Sequence, residues 1–205
     1  MIGIIYYGMG NILSVKNAIE FLGEDVTICL TPQSLLECDK YILPGVGAFG
    51  DCIRNLYQHK FVNELNLQVI ENKKPILGIC LGMQAMAKKS YEGGEYEGLG
   101  WFDAEVVKIE TNNKKLKVPH VGWNELDYNT NHPLFAGLPK ISEFYFVHSY
   151  YMSCINKEDI IATCSYGIDV TAAVCKENIV ATQFHPEKSQ DYGLRFLENF
   201  VEWNP

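Results

Sequence analysis

Two short stretches hold the residue types best suited to chemistry, Gly78-Ile79-Cys80-Leu81-Gly82 and His185-Pro186-Glu187. A thiol becomes a strong nucleophile once deprotonated. It needs a base to take its proton and return it to a leaving group, and that base needs an acceptor to fix its tautomer. Cys80, His185 and Glu187 are of the right types for the three roles. Gly78 and Gly82 permit the sharp strand-to-helix turn of a nucleophile elbow, which leaves its central side chain exposed. A helix over residues 83–88 would aim free N–H groups and its positive dipole end at the sulfur, favouring thiolate. Pro186 fixes one φ angle between the histidine and the glutamate. Each stretch alone has an ordinary reading, a small core cysteine at the end of an apolar run or a plain strand-to-helix loop. Their joint presence favours chemistry.

Three further stretches have the composition of pocket walls. Pro44-Gly45-Val46-Gly47-Ala48-Phe49-Gly50 is either a flexible turn or a loop that brings backbone N–H groups near a reacting carbonyl. The partner N–H would be that of Leu81, the residue after the nucleophile. Val147-His148-Ser149-Tyr150 places polar groups at a strand end, where they would hold a small polar substrate, although His148 suits a structural hydrogen-bonding role equally well. Pro119-His120-Val121-Gly122-Trp123-Asn124 has neither helical nor strand period and reads as a packed loop or a contact surface.

The elements that must position these residues alternate. The apolar run at 2–7 reads as a strand buried on both faces, and those at 26–30 and 41–43 as a second and third strand. Between them, Leu13, Ala18, Ile19 and Leu22 fall at helical spacing, with Asn11 placed to cap and Gly23 to terminate, and Pro32 opens a short helix through residue 36. Helices are expected at 49–59 and 62–70, followed by the elbow strand at the centre of a parallel sheet. Short strands at 101–109, 144–147, 160–164, 171–175 and 179–183 would extend the same sheet in mixed or antiparallel fashion. A last helix over 190–203 would press Leu194, Leu197, Phe200 and Val201 onto it.

At 205 residues, with 47% apolar and 12% aromatic content, the chain is expected to form one domain over 1–205 around one well-filled core. A formal charge of −8 argues against nucleic acid as a partner, and the basic pairs Lys73-Lys74, Lys88-Lys89 and Lys114-Lys115 read as solvated ends. The seven cysteines (29, 38, 52, 80, 154, 164 and 175) are odd in number and lack a Cys-x-x-Cys pair, which suits free thiols in a reducing compartment. With no targeting segment and no apolar run near the roughly 20 residues that cross a bilayer, a cytoplasmic protein without membrane contact is expected. Nothing in the sequence calls for a metal or an organic cofactor.

Taken together, these residues resemble the class I (triad) glutamine amidotransferases. Gly78-Ile79-Cys80-Leu81-Gly82-Met83-Gln84 and His185-Pro186-Glu187 match the class as a whole. Tyr7-Gly8-Met9-Gly10-Asn11, the Pro44 to Phe49 loop, Gly98-Leu99-Gly100, Pro119 to Asn124 and Tyr145-Phe146-Val147-His148-Ser149-Tyr150 are similar to the glutaminase subunits of imidazole glycerol phosphate synthases within it. The resemblance implies a three-layer α/β fold, a mixed and mostly parallel central sheet with helices on both faces. It implies hydrolysis of glutamine through a thioester on Cys80, with His185 and Glu187 as the other triad members and an oxyanion hole from Val46, Gly47 and Leu81. Gln84, Ser149 and Tyr150 match glutamine-binding positions, and Tyr145 and Lys188 match positions facing the synthase, with the 119–124 segment beside them. The implied partner is a separate (βα)8 barrel cyclase in a heterodimer that receives the ammonia for histidine biosynthesis. A paralogue feeding an amino- or amidino-sugar synthase is the alternative. A non-catalytic regulatory subunit is disfavoured by the intact triad, and a thiol hydrolase or protease by the glutamine-pocket matches. The chain departs from the family at Tyr6, where an aspartate is usual.

Overall fold

The computed structural model describes residues 1–111, 113 and 115–205; Lys114 of the third basic pair lies outside them. Strand β1 (Ile2–Ile5) is buried along its whole length, as a strand covered on both faces must be. Helix α1 (Ile12–Phe21) returns over it with Ile12, Val15, Ala18 and Ile19 inward. Leu13, expected on that buried face, is instead 68% exposed, and Asn11 precedes the helix without a side-chain capping bond. Strand β2 (Val26–Cys29), a 3-10 turn (Pro32–Glu37) and β3 (Lys40–Gly45) follow. Helices α2 (Phe49–Gln58) and α3 (Phe61–Leu65), the latter running into a π turn (Asn66–Glu71), lead to β4 (Ile76–Cys80).

Helix α4 (Leu81–Ala85) starts at once but is only five residues long, so the helix expected to reach residue 88 does not form. The backbone of 98–102 pairs instead with the carbonyls of 85–88. Leu99 N donates to Ala85 O (2.8 Å), Trp101 N to Met86 O (3.0 Å), Gly100 N to Ala87 O (3.1 Å) and Gly98 N to Lys88 O (2.9 Å). The approach requires glycine, because a Cβ on Gly98 would lie 2.0 Å from Ala87 O. Residues Ala87–Ser90 therefore become strand β5.

The rest of the chain supplies β6 (Tyr96–Glu97), β7 (Phe102–Lys108), β8 (His120–Glu125), β9 (Asp127–Tyr128), β10 (Glu143–His148), β11 (Tyr150–Cys154), β12 (Ile160–Ser165), β13 (Asp169–Lys176) and β14 (Ile179–Thr182). Helix α5 (Gln190–Glu202) closes it. The central sheet runs β2-β1-β3-β4-β14-β13-β12-β9, parallel from β2 through β14 and antiparallel beyond. Strands β7 and β10 were expected in it. They belong to two smaller sheets, β11-β7-β5-β6 and β10-β8. Their burial alternates, with Phe102, Ala104 and Val106, and Phe144, Phe146 and His148, turned inward, so each covers a core on one face only. Strands β1, β3, β4 and β14 of the central sheet are buried on both.

Alternation along the central strands splits the interior in two. Ile4, Ile42, Leu77, Ile79 and Val180 face the core completed by α1 and α5, and Ile5, Tyr41, Leu43, Ile76 and Ala181 face that completed by α2 and α3. On α5 the fully buried apolar residues are Phe196, Leu197 and Phe200. Leu194 and Val201 are only partly buried, so the inward stripe lies part of a turn from the expected one. Among the described residues no helix is long and apolar enough to cross a membrane.

Candidate active site

Strand β4 delivers Cys80 at its last position with φ +55° and ψ −108°, a conformation L residues rarely adopt. The elbow is possible because α4 presses against β3 without a side chain between them. A Cβ on Gly82 would stand 1.8 Å from Leu43 O. The sulfur is not exposed in the manner expected of an elbow residue, since Cys80 is 7% accessible. Neighbouring walls recess it in a cavity of about 360 Å³ lined by Val46, Gly47, Cys80, Leu81, Gln84, Glu92, Pro119, Val147, His148, Ser149, Tyr150 and His185.

His185 arrives from the end of the neighbouring strand β14, through Gln183 and Phe184. Its Nδ1 lies 2.8 Å from Glu187 Oε1, with the two side chains 2% and 1% exposed. The turn that carries both, Pro186–Lys188, is pinned to β10. His185 N donates to Tyr145 O (2.9 Å), and Ser189 Oγ both donates to His185 O (2.6 Å) and accepts from Tyr145 N (3.0 Å). Burial alone would lower the imidazole's pKa. The close approach and negative charge of Cys80 and Glu187, the latter hydrogen-bonded to the ring, outweigh it and raise the pKa to about 9. His185 Nε2 and Glu187 Oε2 make no geometrically complete hydrogen bond; Nε2 is the free end of the ring, beside the Cys80 sulfur.

The expected glycine-rich loop lies across the cavity. Gly45 pairs with Cys80 in the parallel register of β3 and β4, so Val46 and Gly47 fall next to the nucleophile. Leu81 opens α4, and first-turn N–H groups of a helix have no acceptor within it. Gln84 donates its amide N–H groups to Tyr150 O and Gln183 Oε1, both at 2.9 Å. What remains of Gln84 for a ligand is its carbonyl oxygen.

The 119–124 segment is not an aperiodic loop; from His120 it is strand β8. Alternation sends Val121 and Trp123 outward, 56% and 45% exposed, and His120 inward, 2% exposed. His120 therefore does not belong with the surface residues of this segment. It stacks on Tyr166 and Phe146 (ring centroids 3.9 and 4.8 Å) and meets His148, Nδ1 to Nε2, at 3.0 Å. Burial pushes both imidazoles down to about 4. Outside, Trp123 packs edge-on to Tyr145 (6.0 Å) and Lys188 Nζ lies 5.9 Å from the Tyr145 ring centroid.

Two residues at the site, one lining the cavity and one buried behind it, escaped the sequence reading. Glu92 enters from a turn without periodicity, and its Oε2 accepts from Phe49 N at the start of α2 (2.8 Å). Gln183 looked like the last residue of a strand; its Nε2 lies 3.6 Å from Cys80 Sγ. Among the described residues no cluster of His, Cys, Asp and Glu is arranged to hold a metal ion.

The chain matches the glutamine amidotransferase class-I family over residues 4–203. It is 48% identical over 201 residues to "imidazole glycerol phosphate synthase subunit HisH 1" of Campylobacter jejuni (strain RM1221), covering 98% of this chain and 99% of that one. It is 47% identical over 205 residues to the subunit HisH of the synthase from Geobacter sulfurreducens, with 98% of each covered. In three dimensions it is similar to the structure of PurLQS from Thermotoga maritima, with a TM-score of 0.75 at 17% identity, over 98% of this chain and 97% of that one. With a match along nearly its whole length and a recessed cysteine beside a histidine–glutamate pair, the chain belongs to the class I glutamine amidotransferases.

Proposed function

We propose that residues 1–205 form one glutaminase domain, the ammonia-producing subunit of an imidazole glycerol phosphate synthase, working in the cytoplasm as a heterodimer with a (βα)8 cyclase. The observation that carries the mechanism is His185, held by Glu187 at Nδ1 and left free at Nε2 beside Cys80.

The Cys80 thiolate attacks the side-chain carboxamide carbon of glutamine. Charge developing on the oxygen falls to N–H groups of the Val46–Gly47 loop and Leu81. Below about pH 9 His185 is an imidazolium, and its Nε2 proton passes to the departing nitrogen. Ammonia leaves and a thioester remains on Cys80. The now neutral His185 takes a proton from water as the water oxygen adds to the thioester carbon. Collapse expels the thiolate and glutamate and restores the starting pair. Glu187 accepts from Nδ1–H throughout, which keeps Nε2 as the working atom. The Gln84 carbonyl and the Ser149–Tyr150 segment receive the polar end of the substrate, and the Glu92 carboxylate suits its α-ammonium.

Val121, Trp123, Tyr145 and Lys188 lie on one surface beside the cavity, with Pro119 at its wall, and this is the face read as docking the cyclase. An exposed aromatic flanked by a cation and apolar side chains has the composition of an interface centre. With the cyclase present, Cys80→Ala would lower glutamate release by at least about a thousandfold. Undiminished release by that variant refutes the mechanism.

A further inference from the structure

One backbone carbonyl sets the direction of the hydrogen bonds that reach the nucleophile. Tyr150 O has lone pairs only, and it accepts from Gln84 Nε2 at 2.9 Å and from His148 Nδ1 at 2.8 Å. The nitrogen of the Gln84 amide is thereby placed, and its other N–H reaches Gln183 Oε1 at 2.9 Å. With its oxygen held there, Gln183 has only its nitrogen to present on the other side, and that nitrogen lies 3.6 Å from Cys80 Sγ. Turning the Gln84 amide over would set its oxygen against the Tyr150 carbonyl, and turning Gln183 over would set nitrogen against nitrogen. Gln183 is fully buried and Gln84 is 5% exposed, so water offers little competition at either amide.

We propose that Gln183 is a positioning residue for Cys80: its amide N–H steadies the sulfur beside His185 and stabilises the thiolate, and Gln84 and the Tyr150 carbonyl hold that amide in the one orientation able to do so. A donor directed at the charged form of an acid favours that form, and an amide fixed in advance costs no reorganisation when the charge appears. Gln84 belongs to the same chain of bonds. The residue whose carbonyl meets the substrate therefore also holds the group that tunes the nucleophile.

The inference rests on Cys80 as the nucleophile, and its test avoids turnover, so it is separable from the glutaminase reading. Alkylation of Cys80 in the full chain by iodoacetamide, followed by peptide mass across the thiol titration range, gives the midpoint of thiolate formation. Gln183→Met keeps the bulk and removes the donor. Its midpoint would rise by about one pH unit, a tenfold loss of thiolate at pH values below it. Gln183→Glu, which sets a carboxylate against the sulfur, would raise it further. A purely structural role would leave the alkylation profile in place, and coincident profiles for wild type and both variants overturn the proposal. A measurement on the unaltered protein guards against variants that fail to fold. The side-chain amide resonances of Gln183 would titrate with the same midpoint as Cys80 alkylation, and resonances that do not move through that midpoint overturn it equally.

Discussion

His120 Nδ1 donates to His148 Nε2 across 3.0 Å. The direction follows from the far side of the second ring, where His148 Nδ1 must carry the proton it gives to Tyr150 O. In a neutral imidazole the other nitrogen then accepts, and His120 is left to accept at Nε2 from Asn124 Nδ2 at 3.3 Å. Protonating either ring would place a hydrogen where an acceptor is needed, and burial already penalises the charge. Strand β8, which carries the outward Trp123, is thus tied through two neutral rings to the carbonyl that orders the cavity floor.

The pair predicts an acid-labile fold. Each imidazole titrates near 6.5 in the unfolded chain and about 4 in the folded one, so the unfolded state binds protons first. Their contribution to stability is complete above about pH 6.5 and is lost as pH falls towards 4. Urea unfolding midpoints measured at steps across that window would fall more steeply for wild type than for His148→Gln, whose side chain does not titrate. Equal slopes would mean that the rings are not held neutral.

His185 carries the opposite sign. Its folded value is raised to about 9, with the Cys80 and Glu187 interactions overcoming burial. Its contribution is therefore present below about pH 6.5 and lost as pH rises through 9. Glu187→Gln removes the charge while keeping the shape. It should flatten that alkaline loss and reduce kcat with the cyclase present by about a thousandfold or more, through the wrong tautomer at Nε2. Thermal unfolding at neutral and alkaline pH, alongside steady-state kinetics, checks both halves.

Gly82 and Gly23 separate close approach from backbone conformation. A methyl group on Gly82 would meet the Leu43 carbonyl at 1.8 Å, whereas one on Gly23 (φ +86°) would meet nothing within 4 Å. Gly82→Ala should cost about 3 kcal/mol or more by forcing α4 off β3. Gly23→Ala should cost only about 1 kcal/mol, from the left-handed backbone. Chemical denaturation of the two variants would show the difference, and similar losses would mean that the elbow has room to relax.

Trp123 is 45% exposed and touches Tyr145 at its edge, so it contributes little to the folded monomer. If this face docks the cyclase, Trp123→Ala should weaken the complex by about 2 kcal/mol, roughly thirtyfold in Kd, with an unchanged unfolding midpoint. Calorimetric titration of the variant with the barrel subunit reads the effect directly. Wild-type affinity would move the interface elsewhere.

Cys80, His185 and Glu187 could be picked out in the sequence because chemistry demands certain side-chain types, and because strand-then-turn patterns mark the positions where side chains emerge at sheet ends. The parallel half of the sheet was legible for a similar local reason, since strands buried on both faces read as unbroken apolar runs. The alternating burial of β7 and β10 was also written in the chain, as Phe102, Ala104 and Val106 and as Phe144, Phe146 and His148. It marks strands with one buried face, at odds with a place beside β1, β3, β4 and β14.

Other features depended on groups far apart in sequence. Beyond α4 the chain is drawn into strand β5, where the carbonyls of 85–88 accept from the backbone of 98–102. Glu92 enters the cavity because its carboxylate accepts from Phe49 N, 43 positions away. Gln183 reaches Cys80 only through Gln84 and the Tyr150 carbonyl. The sequence by itself determined which residues were able to react and the strand ends from which they emerge, because residue type and periodicity are local properties. Only the tertiary structure decided how deeply the sulfur is recessed, which way His120 points and which amide faces the nucleophile, because a hydrogen bond is settled by where its acceptor is brought by the rest of the fold.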